Sequence, residues 1–289
     1  GSRATGHGAL SSAIRHAVFD NDGTISTLRQ GWEQIMAPVM MKAVLGDRFQ
    51  TADESLYRKV QKRVLDYIDK STGIQTIVQM QGLVELVREF GIVPADRVLD
   101  RFGYKRIYNE ALMQMVNDRI VKLERGQLDV TDFTVKGAVE FARALRERGV
   151  TLYLASGTDH EDVLREARVL GHADLFNGGI YGAVGDIDSC SKKMVLDRIM
   201  DKICAGAGFK PALTPAPMAL AVFGDGPVEL RESRKRGGLA VGVASDEVRR
   251  FGLNLDKRTR LIKAGAHLVV PDFSQRDQLL RLLFGESNG

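Results

Sequence analysis

The feature that most constrains how this chain folds is an interruption. A short apolar run, His16-Ala-Val-Phe-Asp20, stops at acidic residues and a Gly-Thr turn, and reads as a buried strand leading into a loop. No second strand follows it. From Trp32 to about Gly126 glycine and proline become scarce and apolar residues recur at spacings of three and four. This texture predicts helices over Trp32–Leu45, Glu54–Ile68, Ile74–Phe90 and Tyr104–Leu123, with breaks at Gly46, Gly73, Gly91 to Pro94 and Gly103. After Thr131 strands and helices alternate. Helices are expected over Val135–Arg148, Asp159–Leu170, Ser191–Ile203, Val228–Arg236 and Ser274–Phe284, and strands over Val150–Ala155, Met218–Phe223, Leu239–Val243 and His267–Val270. The glycine-rich stretch from Phe176 to Gly185 holds a further strand or hairpin. Short apolar strands alternating with helices imply a parallel sheet covered on both faces. The expected architecture is therefore an α/β, doubly wound (Rossmann-like) core split near its first strand by an all-α insertion. The core is expected over 13–26 and 128–289 and the helical insertion over 27–127.

At 289 residues, with 44% hydrophobic and 27% charged side chains, the composition is that of an ordinary globular protein. No apolar run approaches the roughly 18 residues of a membrane helix. The formal charge of +4 is spread along the chain, and its densest cluster, Arg231 to Arg236, is broken by Glu232 and lacks aromatic neighbours. It reads as a solvated helix face, and no nucleic-acid partner is expected. The two cysteines, Cys190 and Cys204, have no metal-ligand spacing and read as free thiols of a cytoplasmic protein. Residues 1–12 are expected to be a disordered leader in which Gly1-Ser2 looks like a cloning scar. Monomer and homodimer are both open.

In an open α/β sheet, ligands bind beyond the carboxyl ends of the strands. Three such ends are polar here: Asp20-Asn-Asp22-Gly-Thr24, Ser156-Gly157-Thr158, and Gly224-Asp225-Gly226 with Glu229. Together they deliver four carboxylates and three hydroxyls to one edge. Carboxylates crowded in one crevice require a cation or protonation, and Mg2+ fits an all-oxygen donor set. A bound dication in turn favours an anionic substrate such as a phosphate.

These segments resemble, in order, the motifs of the haloacid dehalogenase superfamily. Asp20 to Thr24 matches the first motif, Ser156 after its strand the second, Lys192 at a helix start the third, and Gly224-Asp225 with Glu229 the fourth. The resemblance implies that Asp20 is a nucleophile forming an aspartyl phosphate, and that Asp22 is general acid and then general base. It implies Mg2+ held by Asp20, the Asp22 carbonyl, Asp225 and Glu229. Glu229 stands where the family more often has Asp, so its longer arm reaches the ion directly or through water. Phosphoryl oxygens are assigned to Ser156 and to backbone N–H groups of Asn21, Asp22 and Gly157, with Thr24 beside them. Lys192 is assigned the charge-neutralising role. Lys193 is its rival, and Val195 and Leu196, three and four residues beyond Lys192, favour the former.

The position of the insertion resembles the helical cap of phosphoglycolate phosphatases and β-phosphoglucomutase, a mobile lid that reads the leaving group. Lys70, Gln75 and Gln79 are its candidate specificity residues, with a solvent-facing role as the alternative; Met36, Met40 and Met41 read as cap core. The implied activity is Mg2+-dependent hydrolysis of a small phosphorylated metabolite. A sugar-phosphate mutase and a non-catalytic binding module are the alternatives. Asp22 argues against dehalogenase and phosphonate-hydrolysing variants, and the charged stretch Ala244–Lys263 reads by default as a solvated loop and helix, with a partner surface or a helical excursion beside the active-site edge as alternatives.

Overall fold

The computed structural model describes residues 14–71, 76–183, 192–206 and 219–285. The chain divides into two compact units, one spanning Arg29–Lys122 and the other formed by the residues before and after it.

The helical unit holds α1 (Trp32–Leu45), α2 (Glu54–Ser71), α3 (Thr76–Phe90) and most of α4 (Arg101–Glu124). Apolar residues at helical spacing meet in one core. Met36, Met40 and Val44 of α1 pack with Val60 and Val64 of α2, Met80, Leu83 and Val87 of α3, and Tyr104 and Tyr108 of α4. The methionines are thus core residues of this unit. Trp32 packs against the same core, half-buried. None of the described helices is long and apolar enough to cross a membrane.

The other unit is built on a six-stranded, all-parallel sheet. Its strands are β1 (His16–Asp20), β2 (Thr151–Asp159), β3 (Gly179–Ala183), β4 (Leu220–Gly224), β5 (Leu239–Val243) and β6 (Leu268–Val270), in the spatial order β3-β2-β1-β4-β5-β6. The intervening helices are α5 (Ala138–Glu147), α6 (His160–Val169), α7 (Lys192–Gly206), α8 (Pro227–Lys235), α9 (Leu255–Lys263) and α10 (Arg276–Phe284). Alternate strand residues point to opposite faces, so apolar runs such as Ala-Val-Phe serve both layers. Phe19, Leu154, Phe223 and Val241 pack against Phe141 of α5 and Leu279 and Leu280 of α10. Val18, Tyr153 and Val222 pack on the opposite face against Val195 and Ile199 of α7. Phe19 lies at the centre, stacked on Phe223 with ring centroids 4.6 Å apart and edge-on to Phe141 at 6.1 Å.

From β1 the chain continues toward β2, and from β4 it turns the other way toward β5. Neighbouring strands whose connections diverge leave a crevice at their carboxyl ends, so the topology places a ligand site beyond β1 and β4.

Two local features depart from the sequence expectation. β2 does not stop at Ala155 but runs to Asp159, with a register irregularity against β3 between those residues. The irregularity lets the chain re-aim at Ser156 and then resume pairing. The charged stretch after β5 contains α9, whose N-cap Asn254 accepts a hydrogen bond from the backbone N–H of Lys257 through Oδ1 at 3.0 Å. The charges there suggested a solvated element, yet Lys257 is only 6% exposed.

Candidate active site

β1 and β4 are in register with Phe19 opposite Phe223, and β1 and β2 with Asp20 opposite Ala155. Asp20, Ser156 and Asp225 therefore emerge within two residues of one line across the sheet. That alignment turns three distant sequence segments into one site.

The chain leaves β1 through a tight loop. The Asn21 carbonyl accepts from the backbone N–H groups of Ile25 at 3.0 Å and Ser26 at 2.9 Å, and Gly23 N–H donates to the Ser26 carbonyl at 2.8 Å. Gly23 adopts φ +71°, open to glycine at little cost. A Cβ there would stand 2.2 Å from Asp225 Oδ2, so the loop approaches the β4 end too closely for any side chain.

Asp20 is buried at 3% exposure, and Asn21 N–H donates to its Oδ1 at 2.9 Å. The same N–H also donates to the Ala155 carbonyl at 3.1 Å. The Asn21 N–H assigned to a phosphoryl oxygen thus has two acceptors here, one in β1 and one in β2. Asp22 is half-buried, with Oδ1 accepting from Asn21 Nδ2 at 3.4 Å and Oδ2 from Ser156 Oγ at 3.5 Å. Ser156 is buried and accepts from Thr158 N–H at 3.1 Å, while Gly157 is exposed. The Thr24 hydroxyl and Asn21 Oδ1 are buried with no hydrogen-bond partner among the described residues.

At the β4 end, Glu229 folds back over Gly224, where a Cβ would meet its Cγ at 2.3 Å. Its Oε1 accepts from the Gly226 N–H at 2.7 Å, closing the first turn of α8. The longer arm of Glu at this position thus caps the helix and still reaches the crevice, its carboxylate buried at 2% exposure. Carboxylate oxygens of Asp20, Asp225 and Glu229 lie within 4.8 Å of one another. Oxygens ~2.1 Å from a shared Mg2+ stand about 3 Å apart when adjacent and about 4 Å when opposite. The donors are all hard oxygen and two of the three residues are buried, so the set fits such an ion.

The remaining sequence candidates belong to α7 and to the helical unit. Lys192 opens α7, with its side chain outside the described residues. Its rival Lys193 is 56% exposed and paired with Asp197 at 3.5 Å, on the surface of its own helix. In the helical unit Lys70 is exposed at the end of α2, and Gln75 lies outside the described residues. Gln79 is buried, its Nε2 donating to the Ser71 carbonyl at 3.2 Å and to Ser71 Oγ at 3.3 Å, which ties α3 to the end of α2.

Two site residues were not foreseen from sequence. Lys257 Nζ donates to Asp225 Oδ2 at 2.8 Å and to Glu247 Oε1 at 2.5 Å. Burial alone pulls its pKa down, but the Asp225 and Glu247 carboxylates outweigh burial and hold it above the ordinary lysine value, so it stays an ammonium. Glu247 is raised, chiefly by burial and further by Asp225 and Asp22, with Lys257 opposing. Glu247 rides on a tied excursion after β5. Asp246 Oδ1 accepts from the Val248 and Arg249 N–H groups, each at 3.0 Å, and Asp272 Oδ2 from Gly252 N–H at 2.9 Å. The sequence signal for the pair was the length and charge of the Ala244–Lys263 stretch, which holds both residues.

Solved structures with the same arrangement of elements include β-phosphoglucomutase from Clostridium difficile, at 13% identity and TM-score 0.56, covering 94% of this chain and 98% of that one. A hydrolase from Pseudomonas syringae aligns at 16% identity and TM-score 0.54, covering 95% and 100%. A haloacid dehalogenase family hydrolase from Deinococcus radiodurans, solved with bound phosphate and sodium, aligns at 18% identity and TM-score 0.52, covering 94% and 97%. These likenesses concern the fold. No curated protein sequence matches the chain. The haloacid dehalogenase-like hydrolase family model matches residues 14–231, a span that carries the Asp20 loop, Ser156, Asp225 and Glu229, and the chain belongs to that family.

Proposed function

We propose that this chain is a Mg2+-dependent phosphatase that hydrolyses a small-molecule phosphate monoester through a phosphoaspartate on Asp20. The observation that carries the reading is the convergence of Asp20, Asp225 and Glu229 beside Asp22 and Ser156 at adjoining strand ends. Asp20, Asp225 and Glu229 would hold the ion, which when bound neutralises phosphoryl charge and keeps Asp20 ionised.

In the first step an Asp20 carboxylate oxygen bonds to phosphorus as the ester P–O bond breaks, and Asp22 gives its proton to the departing alkoxide. In the second, Asp22 takes a proton from water as that water bonds to phosphorus and the Asp20–phosphorus bond breaks, releasing inorganic phosphate. Asn21 N–H fixes the Asp20 carboxylate through Oδ1, and Ser156 holds Asp22 from the neighbouring strand. The helical unit, in this reading, selects the substrate.

Phosphate release from a panel of phosphate monoesters, with Mg2+ and with EDTA, tests the class and the substrate together. Asp20→Asn is expected to lower turnover by at least about a thousandfold, because the amide is a far weaker nucleophile. Release at the wild-type rate from that variant would overturn the assignment. Isomerised sugar phosphate without phosphate release would identify a mutase instead.

A further inference from the structure

We propose that Lys257 is a resident countercharge of the cation site, competing with Mg2+ for Asp225, and that Glu247 offsets it so the ion can still bind. This rests on the cation site proposed above and concerns two residues outside the matched span of 14–231.

Lys257 stands where local physics disfavours a lysine. It is the third residue of α9, where the helix dipole repels a cation, and it is nearly inaccessible to water. It is held there by two carboxylates, at 2.8 and 2.5 Å. The ammonium also lies beneath the Asp20 loop, 3.1 Å from where a Cβ of residue 23 would be. Its partner Asp225 supplies an oxygen to the cluster that fits Mg2+. One carboxylate thus faces an ammonium and, when loaded, a dication.

Two cations sharing one carboxylate repel each other, and the repulsion is strong in a buried setting. Lys257 therefore screens the acidic crevice in the metal-free protein and lowers its affinity for Mg2+. Glu247 acts in the opposite sense. It draws on the same ammonium, 2.5 Å from Nζ, and so adds a negative charge one ion pair removed from Asp225. The two neighbouring residues consequently have opposite effects on metal binding, a signature that loss of packing does not produce.

The test is Mg2+ binding to the full chain, stripped with EDTA and titrated calorimetrically without substrate. Lys257→Met is expected to bind Mg2+ about tenfold more tightly than wild type, and Glu247→Gln about tenfold more weakly. Lys257→Met should also melt at a lower temperature in EDTA and recover more on adding Mg2+ than wild type does. Unchanged or weaker binding by Lys257→Met, or unchanged or tighter binding by Glu247→Gln, overturns the inference while leaving the cation site standing. If Lys257→Met does not fold, Glu247→Gln decides alone. Absence of saturable Mg2+ binding by the wild-type chain overturns the cation site, and the inference with it.

Discussion

At Gly23 two demands coincide: a left-handed backbone and the absence of a side chain against Asp225. Gly23→Ala is expected to lose about 1–2 kcal/mol of stability from the backbone alone. It should also displace Asp225, lowering Mg2+-dependent phosphate release at least about tenfold. Denaturant titration beside steady-state kinetics at saturating Mg2+ separates the two effects, and full activity in a destabilised variant would show that the close approach is irrelevant to the chemistry. The turn at Gly23 was legible because Asp20, Asp22 and Gly23 sit at fixed offsets in sequence, whereas its close approach to Asp225, far along the chain, was not. Glu229 was legible as a candidate but not as a helix cap, because its fold-back depends on Gly224 and Gly226 as well. Lys257 and Glu247 were not legible. A lysine among Asp256, Arg258 and Arg260 looks solvated, and only the packing of α9 against β5 turns it inward. Burial of a charge depends on partners set by the fold rather than by sequence proximity, here 32 and 10 residues away.

Among the elements, β1 bears the tightest constraint. It has only five residues, it is paired on both sides, and its Phe19 meets Phe223, Phe141, Phe176 and Phe273. Phe19→Ala is expected to cost about 3–5 kcal/mol through lost burial and the cavity left behind. Urea denaturation followed by far-ultraviolet circular dichroism measures that loss, and a cost below about 1 kcal/mol would contradict the central position of this ring. The alternation of strands and helices was readable because apolar periodicity is local. The extension of β2 beyond Ser156 was not, because Gly157, Thr158 and Asp159 carry turn chemistry and only the pairing of Asp159 with Ala183 of β3 resumes the ladder. In the helical unit the same limit applies to Gln79, polar by sequence but turned inward by the end of α2.

For the whole molecule, acid is a specific weakness. His172 is 1% exposed, and burial lowers its pKa to about 4 from an ordinary 6.5. Burial also lowers His16 and His267. The unfolded chain binds a proton at His172 below about pH 6.5 while the folded chain does not until about pH 4. Stability is therefore complete above 6.5 and drains away as the pH falls through that window. About 2 kcal/mol from His172 should be lost between pH 7.5 and 5. Chemical denaturation at the two values measures it, and His172→Phe should flatten the dependence; an unaltered slope in that variant would place the weakness elsewhere.

The order of strands across the sheet also sets a calendar for the nascent chain. β1 leaves the ribosome first, yet its partner β2 follows only after the helical unit has been made, and β4 comes roughly two hundred residues behind it. The helical unit is contiguous, with a core of its own, and has what it needs to fold while β1 waits. During that wait Ala17, Val18 and Phe19 have neither strand neighbour, so the residues that later seat the first carboxylate of the site are first an exposed apolar segment. Asp20, and the acidic and glycine-rich turn after it, interrupt that segment and limit how far it can pair with another copy of itself.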